Sequence, residues 1–262
     1  MNHASELLKG KEGDTLLFSD FIRVGCAFLS SCRQDDYIGY SHVSQKRLGS
    51  LCAELGKLAM TCEIPKRVIE PLFSGLQCMV NGRFERITPV SQLLLQACVK
   101  AKFYGKARTL LASHRATLTL YEPRVYKTTE SDLLLYFYSA GLVYTGLKEY
   151  EKAFDMYLGA LVIPRLHLND VAIDAAKKYI LLSLILHGSL TQLPNFTPNV
   201  IKRNIFSECE GYMELVEQIK ALNESGTSGA KELEDFITSR NGTWEADGNI
   251  GLVNILLHMQ KE

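Results

Sequence analysis

The residues best suited to metal or nucleophile chemistry are six histidines and seven cysteines, and their spacing gives that chemistry no frame. A zinc site draws its ligands from short repeats such as C-x-x-C, or from two histidines a helical turn apart. His3, His42, His114, His167, His187 and His258 never stand three or four residues from one another, and none opens an H-E-x-x-H frame. Cys26, Cys32, Cys52, Cys62, Cys78, Cys98 and Cys209 are odd in number and scattered, with no C-x-x-C pair. Neither a zinc site nor a thioredoxin-like dithiol follows. Free thiols among apolar neighbours suit a reducing compartment, where each acts as a small core residue. The sequence also lacks G-x-S-x-G, a Walker lysine motif and G-x-G-x-x-G, so no serine nucleophile elbow or phosphate cradle is predicted. Asp35-Asp36 and Glu149/Glu151 read as surface carboxylates beside turns rather than an acid–base couple. The expected catalytic, cofactor-binding and metal-ligating residues are therefore none, and the chain is expected not to be an enzyme.

Charge and composition narrow the partners. Twenty-nine basic and 29 acidic residues give a net charge of zero, which leaves no overall field to draw the chain onto nucleic acid. An apolar fraction of 47% with 22% charged residues is that of a folded globular chain. The first eleven residues are polar and carry no signal-peptide core, and the longest apolar run, near Tyr179–Leu186, is far short of the ~20 residues of a membrane span. Neither nucleic acid nor membrane is expected as a partner. The sequons at Asn195, Asn223 and Asn241 are read as chance matches, because no secretory signal accompanies them.

Apolar residues recur at threes and fours along almost the whole chain, which predicts helices. Leu16, Leu17, Phe21, Val24, Phe28 and Leu29 mark the first, and Leu48, Leu51, Cys52, Leu55, Leu58 and Ala59 the second. Pro65 opens a third that Pro71 is expected to kink or split. Thr88-Pro89 is an N-cap followed by proline at the first helical position, launching Val90–Cys98. Further helices are predicted at 133–147, 148–163, 171–187, 200–206, 208–222, 230–240 and 250–259. Ser131-Asp132 is read as the cap of the first of these, Asn169 or Asp170 as the cap of the helix closed by Gly188. The breaks are Asn81-Gly82-Arg83, an extended link at Leu120–Arg124, and a flexible-looking stretch at Asn223–Gly229. His187 is read as a dipole partner at a helix C-terminus. The basic pairs Lys46-Arg47, Lys66-Arg67, Lys177-Lys178 and Lys202-Arg203 are read as solvated helix faces, and the tyrosines from Tyr104 to Tyr157 as wedges between helices.

Serial helix pairs raise the question of repeats. Phe137, Gly141, Tyr144, Ala153, Tyr157 and Ala160 place small and aromatic residues at tetratricopeptide spacing. Tyr104-Gly-Lys106-Ala107 echoes Tyr150-Glu-Lys152-Ala153 at a distance of 46 residues. The expected fold is all-α: a right-handed helical-repeat, tetratricopeptide-like solenoid of antiparallel helix pairs.

Several segments together resemble subunit 3 of the COP9 signalosome, a family with a PCI (proteasome–signalosome–initiation-factor) domain. They are Leu93–Lys102, Tyr144-Thr-Gly-Leu-Lys148 with Tyr150-Glu-Lys-Ala153, the helix Lys177-Lys-Tyr-Ile-Leu-Leu-Ser-Leu-Ile-Leu186, Gln192-Leu-Pro194, and Asp247-Gly-Asn-Ile-Gly-Leu-Val253. The likeness runs from about Leu51 to Leu257, with a divergent loop at Arg165–Leu168. It implies a helical-repeat solenoid over 1–222 and, over 223–262, the last helices leading into a PCI domain whose winged-helix part is absent. It also implies a non-catalytic scaffold of the complex that removes NEDD8 from cullin-RING ubiquitin ligases, located in cytoplasm and nucleus. Its partners would be the other signalosome subunits and, indirectly, those ligases. Two alternatives share this architecture: a scaffold subunit of the proteasome lid or of a translation-initiation PCI complex, and a free-standing tetratricopeptide-type peptide-binding adaptor.

The repeat reading makes Gly141 face Ala153 across two closely packed helices. Gly141→Leu should then overpack the contact and lower stability by about 1–3 kcal/mol, read as a reduced urea midpoint at unchanged m-value. An unchanged or raised midpoint would put Gly141 on a solvated face.

Overall fold

In a computed structural model of the chain, the described residues are 12–32, 42–80, 87–113, 128–225 and 230–259. Among them every regular element is helical and there is no strand. The predicted breaks at 81–83 and 120–124, the pair Asp35-Asp36 and most of the 223–229 stretch lie outside these residues. The chain divides into two compact units, 1–146 and 147–262.

Unit 1 contains α1 (Glu12–Ser31), α2 (His42–Thr61), α3 (Pro65–Met79), α4 (Pro89–Lys100), α5 (Tyr104–Ser113) and α6 (Glu130–Gly146). Neighbours in sequence pack together, and so do next-but-one helices: α1 with α3, α2 with α4, α4 with α6. Stacking in alternate rows of this kind lets each helix bury two flanks, and it is how a helical repeat builds a continuous core. The core is lined by Leu29, Cys52, Leu55, Leu72, Leu76, Leu94 and Leu95, all essentially without exposure. Pro71 does not split α3, which runs unbroken through it with Pro65 at its first turn. A proline in a helix interior removes one hydrogen bond, and here the ring is buried among apolar neighbours that hold the helix together around it.

The N-caps follow local chemistry. Thr88 and Ser91 form a reciprocal capping box for α4, as the Thr-Pro signal predicts. The start of α6 lies three residues earlier than expected, because Asp132 is not the cap but the third residue of a box. Thr129 Oγ1 accepts from the Asp132 amide (3.1 Å), and Asp132 Oδ2 accepts from the Thr129 amide (2.8 Å).

Unit 2 contains α7 (Tyr150–Val162), α8 (Asp170–His187), α9 (Asn199–Asn204), a 3-10 turn (Ser207–Cys209), α10 (Glu210–Ser225), α11 (Ala230–Ser239), α12 (Asn241–Ala246) and α13 (Ile250–Met259). The short α12, with its buried Trp244, is absent from the sequence prediction. Asn169 caps α8 by accepting from the Ala172 amide (2.9 Å), and Gly188 closes it at φ +69°. A helix apolar on all sides has to be enclosed. Accordingly α8 is the hub, packing against α7, α10, α13 and the 3-10 turn.

The repeat spacing recurs in backbone conformation. Lys102 and Lys148, 46 residues apart, both adopt left-handed backbone (φ +54° and +60°) in the turns that precede Tyr104 and Tyr150. Glu63 (φ +57°) and Gly248 (φ +67°) do the same before α3 and α13. At Lys102 the bonds are those of a Schellman cap: Phe103 N–H to the Cys98 carbonyl (2.8 Å) and Lys102 N–H to that of Val99 (3.1 Å). Glu63 and Gly248 are held by the same pair of bonds. Gly146 is needed for a different reason, since a Cβ there would lie 2.7 Å from the Tyr104 ring. Tyr104 thus wedges onto the end of α6, as the tyrosine pattern suggests. Phe137, Gly141, Tyr144, Ala153, Tyr157 and Ala160 are all buried, the first three in unit 1 and the others in unit 2.

Left-handed backbone costs an L-residue about 1–2 kcal/mol, partly offset when glycine replaces it by the freer unfolded chain. Lys102→Gly should therefore raise stability by about 0.5–1 kcal/mol, and Gly248→Ala should lower it by about 1 kcal/mol. Opposite shifts in urea midpoint for the two variants would check this.

Candidate functional site

The helix α8 carries the least expected chemistry. Lys177 and Lys178, read from sequence as a solvated basic pair, are not one. Lys178 is buried at 5% exposure, and burial lowers its ammonium pKa against the opposing pull of the Asp174 and Asp247 carboxylates. Lys177 Nζ pairs with Asp247 Oδ1 at 2.8 Å, and both side chains are largely enclosed. Packing of α8 against its neighbours encloses most of both lysines, so the sequence expectation fails at this pair. The other three basic pairs are exposed where they lie among the described side chains, although Lys202 Nζ reaches back to the Asn195 carbonyl (2.6 Å).

Asp247 is the centre of a wider network. Tyr212 OH donates to its Oδ2 (2.8 Å), and Asn249 Nδ2 donates to Tyr212 OH (2.7 Å). The Tyr212 ring meets Trp244 edge-on at 4.9 Å, and Trp244 Nε1–H donates to the Ile237 carbonyl (3.1 Å). Arg240 pairs with Glu214 and lies 5.0 Å from the Phe236 ring. Burial raises the Tyr212 phenol above its ordinary value, with the Asp247 carboxylate adding to the rise and the Asn249 bond opposing it. These groups lace α8, α10, α11, α12 and α13 together. A second set ties down the chain after α8: Ser183 Oγ donates to the Ser189 carbonyl (2.8 Å) and accepts from the Thr191 amide (2.6 Å), while Tyr179 OH donates to the Thr191 carbonyl (3.1 Å).

What this arrangement can do chemically is hold helices in place. The carboxylate of Asp247 has both oxygens engaged, and the phenol bound to it is harder to ionise than usual. Burial pushes the thiols of Cys52, Cys98 and Cys209 up to about 12, so they stay protonated and poorly nucleophilic. None of the seven cysteines, all of which lie among the described residues, is in a disulfide. Among the described residues no group of three or more His, Cys, Asp or Glu side chains is placed to hold a metal ion. His187 packs edge-on against Phe154 at 5.4 Å. His258 lines a shallow, open depression on α13 with Asn254, Ile255 and Met259. No described helix is long and apolar enough to cross a membrane.

Residues 16–201, from within α1 to α9, match the family described as COP9 signalosome complex subunit 3, N-terminal helical repeats. The chain belongs to this family. Among curated relatives, COP9 signalosome complex subunit 3 of Arabidopsis thaliana is 30% identical over 227 residues, covering 86% of this chain and 48% of the relative. The Dictyostelium discoideum protein of the same description is 31% identical over 169 residues, covering 64% of this chain and 38% of the relative. The chain thus spans less than half the length of either. The segments Lys177–Leu186 and Asp247–Val253, which carry the resemblance read from the sequence, meet at the Lys177–Asp247 pair. In the sequence the two are separate signatures. Tyr212 and Trp244 carry no signal there, since an aromatic on a helix looks the same whether or not its polar atom has a distant partner.

Removing Asp247 strands a largely buried ammonium and a buried phenol together. Asp247→Ala should cost about 2–3 kcal/mol, the range for lost hydrogen bonds to a charged group. In a double-mutant cycle with Lys177→Ala, the two losses should fall short of additivity by about 1 kcal/mol or more. Additive losses would mean that the pair contributes nothing as a pair.

Proposed function

We propose that this chain is a non-catalytic scaffold subunit of the COP9 signalosome, acting through protein–protein contacts of its helical repeats. On this reading it serves the complex that removes NEDD8 from cullin-RING ubiquitin ligases, in cytoplasm and nucleus. Its direct partners are other signalosome subunits, and it reaches the ligases only through them. Residues 1–222 form the helical-repeat solenoid, and residues 223–262 begin a PCI domain. The observation that carries the proposal is the family match over residues 16–201. The character of the polar groups supports it. Lys177, Asp247 and Tyr212 of unit 2 are engaged in bonds that tie helices together, and the three most buried thiols are held in their unreactive form.

The test is co-purification. The tagged chain, expressed in cells of its source, should recover other signalosome subunits and no stoichiometric proteasome-lid or initiation-factor subunits. The purified chain by itself should leave a NEDD8–cullin conjugate intact with or without added zinc. Recovery of lid or initiation-factor subunits instead, or cleavage by the chain alone that a chelator abolishes, would overturn the proposal.

A further inference from the structure

The helix α1 is apolar over a wider arc than the other described helices of unit 1 cover. Ile22, Gly25 and Leu29 point into the core. Phe21, Val24 and Phe28, spaced three and then four, form a second stripe on the adjoining flank, and they are 45%, 58% and 47% exposed. Half of the eight exposed large apolar side chains among the described residues belong to α1, the fourth being Phe18. Single exposed apolar residues need no explanation, but a row at seam spacing on one helix does.

Position in the stack explains why the row is open. Among the described helices, each of α2 to α5 packs against helices both before and after it, whereas the main contacts of α1 are with α2 and α3, which follow it. Here the exposed flank has the 3–4 spacing that accepts the knobs of another helix. On α1 itself, Asp20 and Arg23 beside the row are paired with each other (3.1 Å).

The size of the row decides the occupant. Two half-exposed phenylalanines and a valine offer about 300 Å² of apolar surface. That is well below the roughly 800 Å² per partner of a stable free-standing interface, so the stripe cannot by itself hold a second copy of the chain. It suffices for one helix of a protein already tethered by other contacts, as within a multi-subunit complex. We propose that the Phe21–Val24–Phe28 face of α1 receives a single amphipathic helix of another subunit, with apolar residues three and four apart, continuing the helix stack. This inference rests on the subunit reading above.

Photo-crosslinking in the assembled complex tests it. Benzoylphenylalanine replaces Val24, with Ala112 on the exposed side of α5 as the control position, and crosslinked peptides are identified by mass spectrometry. Position 24, and not position 112, should capture a helix of another subunit with that spacing. The double variant Phe21→Glu/Phe28→Glu should reduce retention of the captured subunit by about tenfold while the urea midpoint stays unchanged. Crosslinks from position 24 to this same chain, to a second copy, or to nothing in a complex that has assembled would overturn this inference alone. A chain that recovers no signalosome subunits would overturn the subunit reading and this inference with it.

Discussion

A helix apolar on every side has to be surrounded, and α8 carries two lysines in its middle. That conflict organises unit 2. An ammonium with little access to water needs a carboxylate within reach, and the one bonded to Lys177 is Asp247, from the turn ahead of α13. Fixing Asp247 fixes Tyr212 and Asn249, and the Tyr212 ring packs on Trp244, so five helices are aligned by one chain of polar and ring contacts inside an apolar packing. Apolar burial supplies most of the drive to pack these helices but specifies little about how far one slides along another. Bonds of defined length set that register and favour one arrangement over its near alternatives.

Unit 1 meets the same problem of register with backbone geometry. The joints before α3 and α5 are tight, and the turn residues Glu63 and Lys102 accept an unfavourable left-handed backbone so that the next helix departs at a set angle. The recurrence of that conformation at Lys148 gives the 46-residue echo a mechanical meaning: what repeats is a joint. Small residues and aromatics complete it, as where Tyr104 closes over Gly146.

Burial keeps the Cys52, Cys98 and Cys209 thiols protonated and both Asp247 oxygens are bonded, while apolar surface is left open along α1. Assembly through such a surface needs a rigid helix more than a reactive one, since ordering costs already met in the fold are not met again on binding.

The sequence by itself determined the helical class, most helix ends and the family. Threes and fours of apolar residues, Thr88-Pro89, Asn169 and Gly188 all act through neighbours within a turn or two, so their consequences can be read locally. The start of α6 was legible too, had Thr129 been paired with Asp132. It did not disclose which lysine is solvated, that α3 continues through Pro71, or that α12 forms around Trp244. Nor did it separate Phe21, Val24 and Phe28 from the buried positions beside them. Those outcomes depend on groups 30 to 70 residues away, or on how many flanks of a helix find a neighbour. Periodicity records that a residue is apolar or charged, and only the packing of distant helices decides whether water still reaches it.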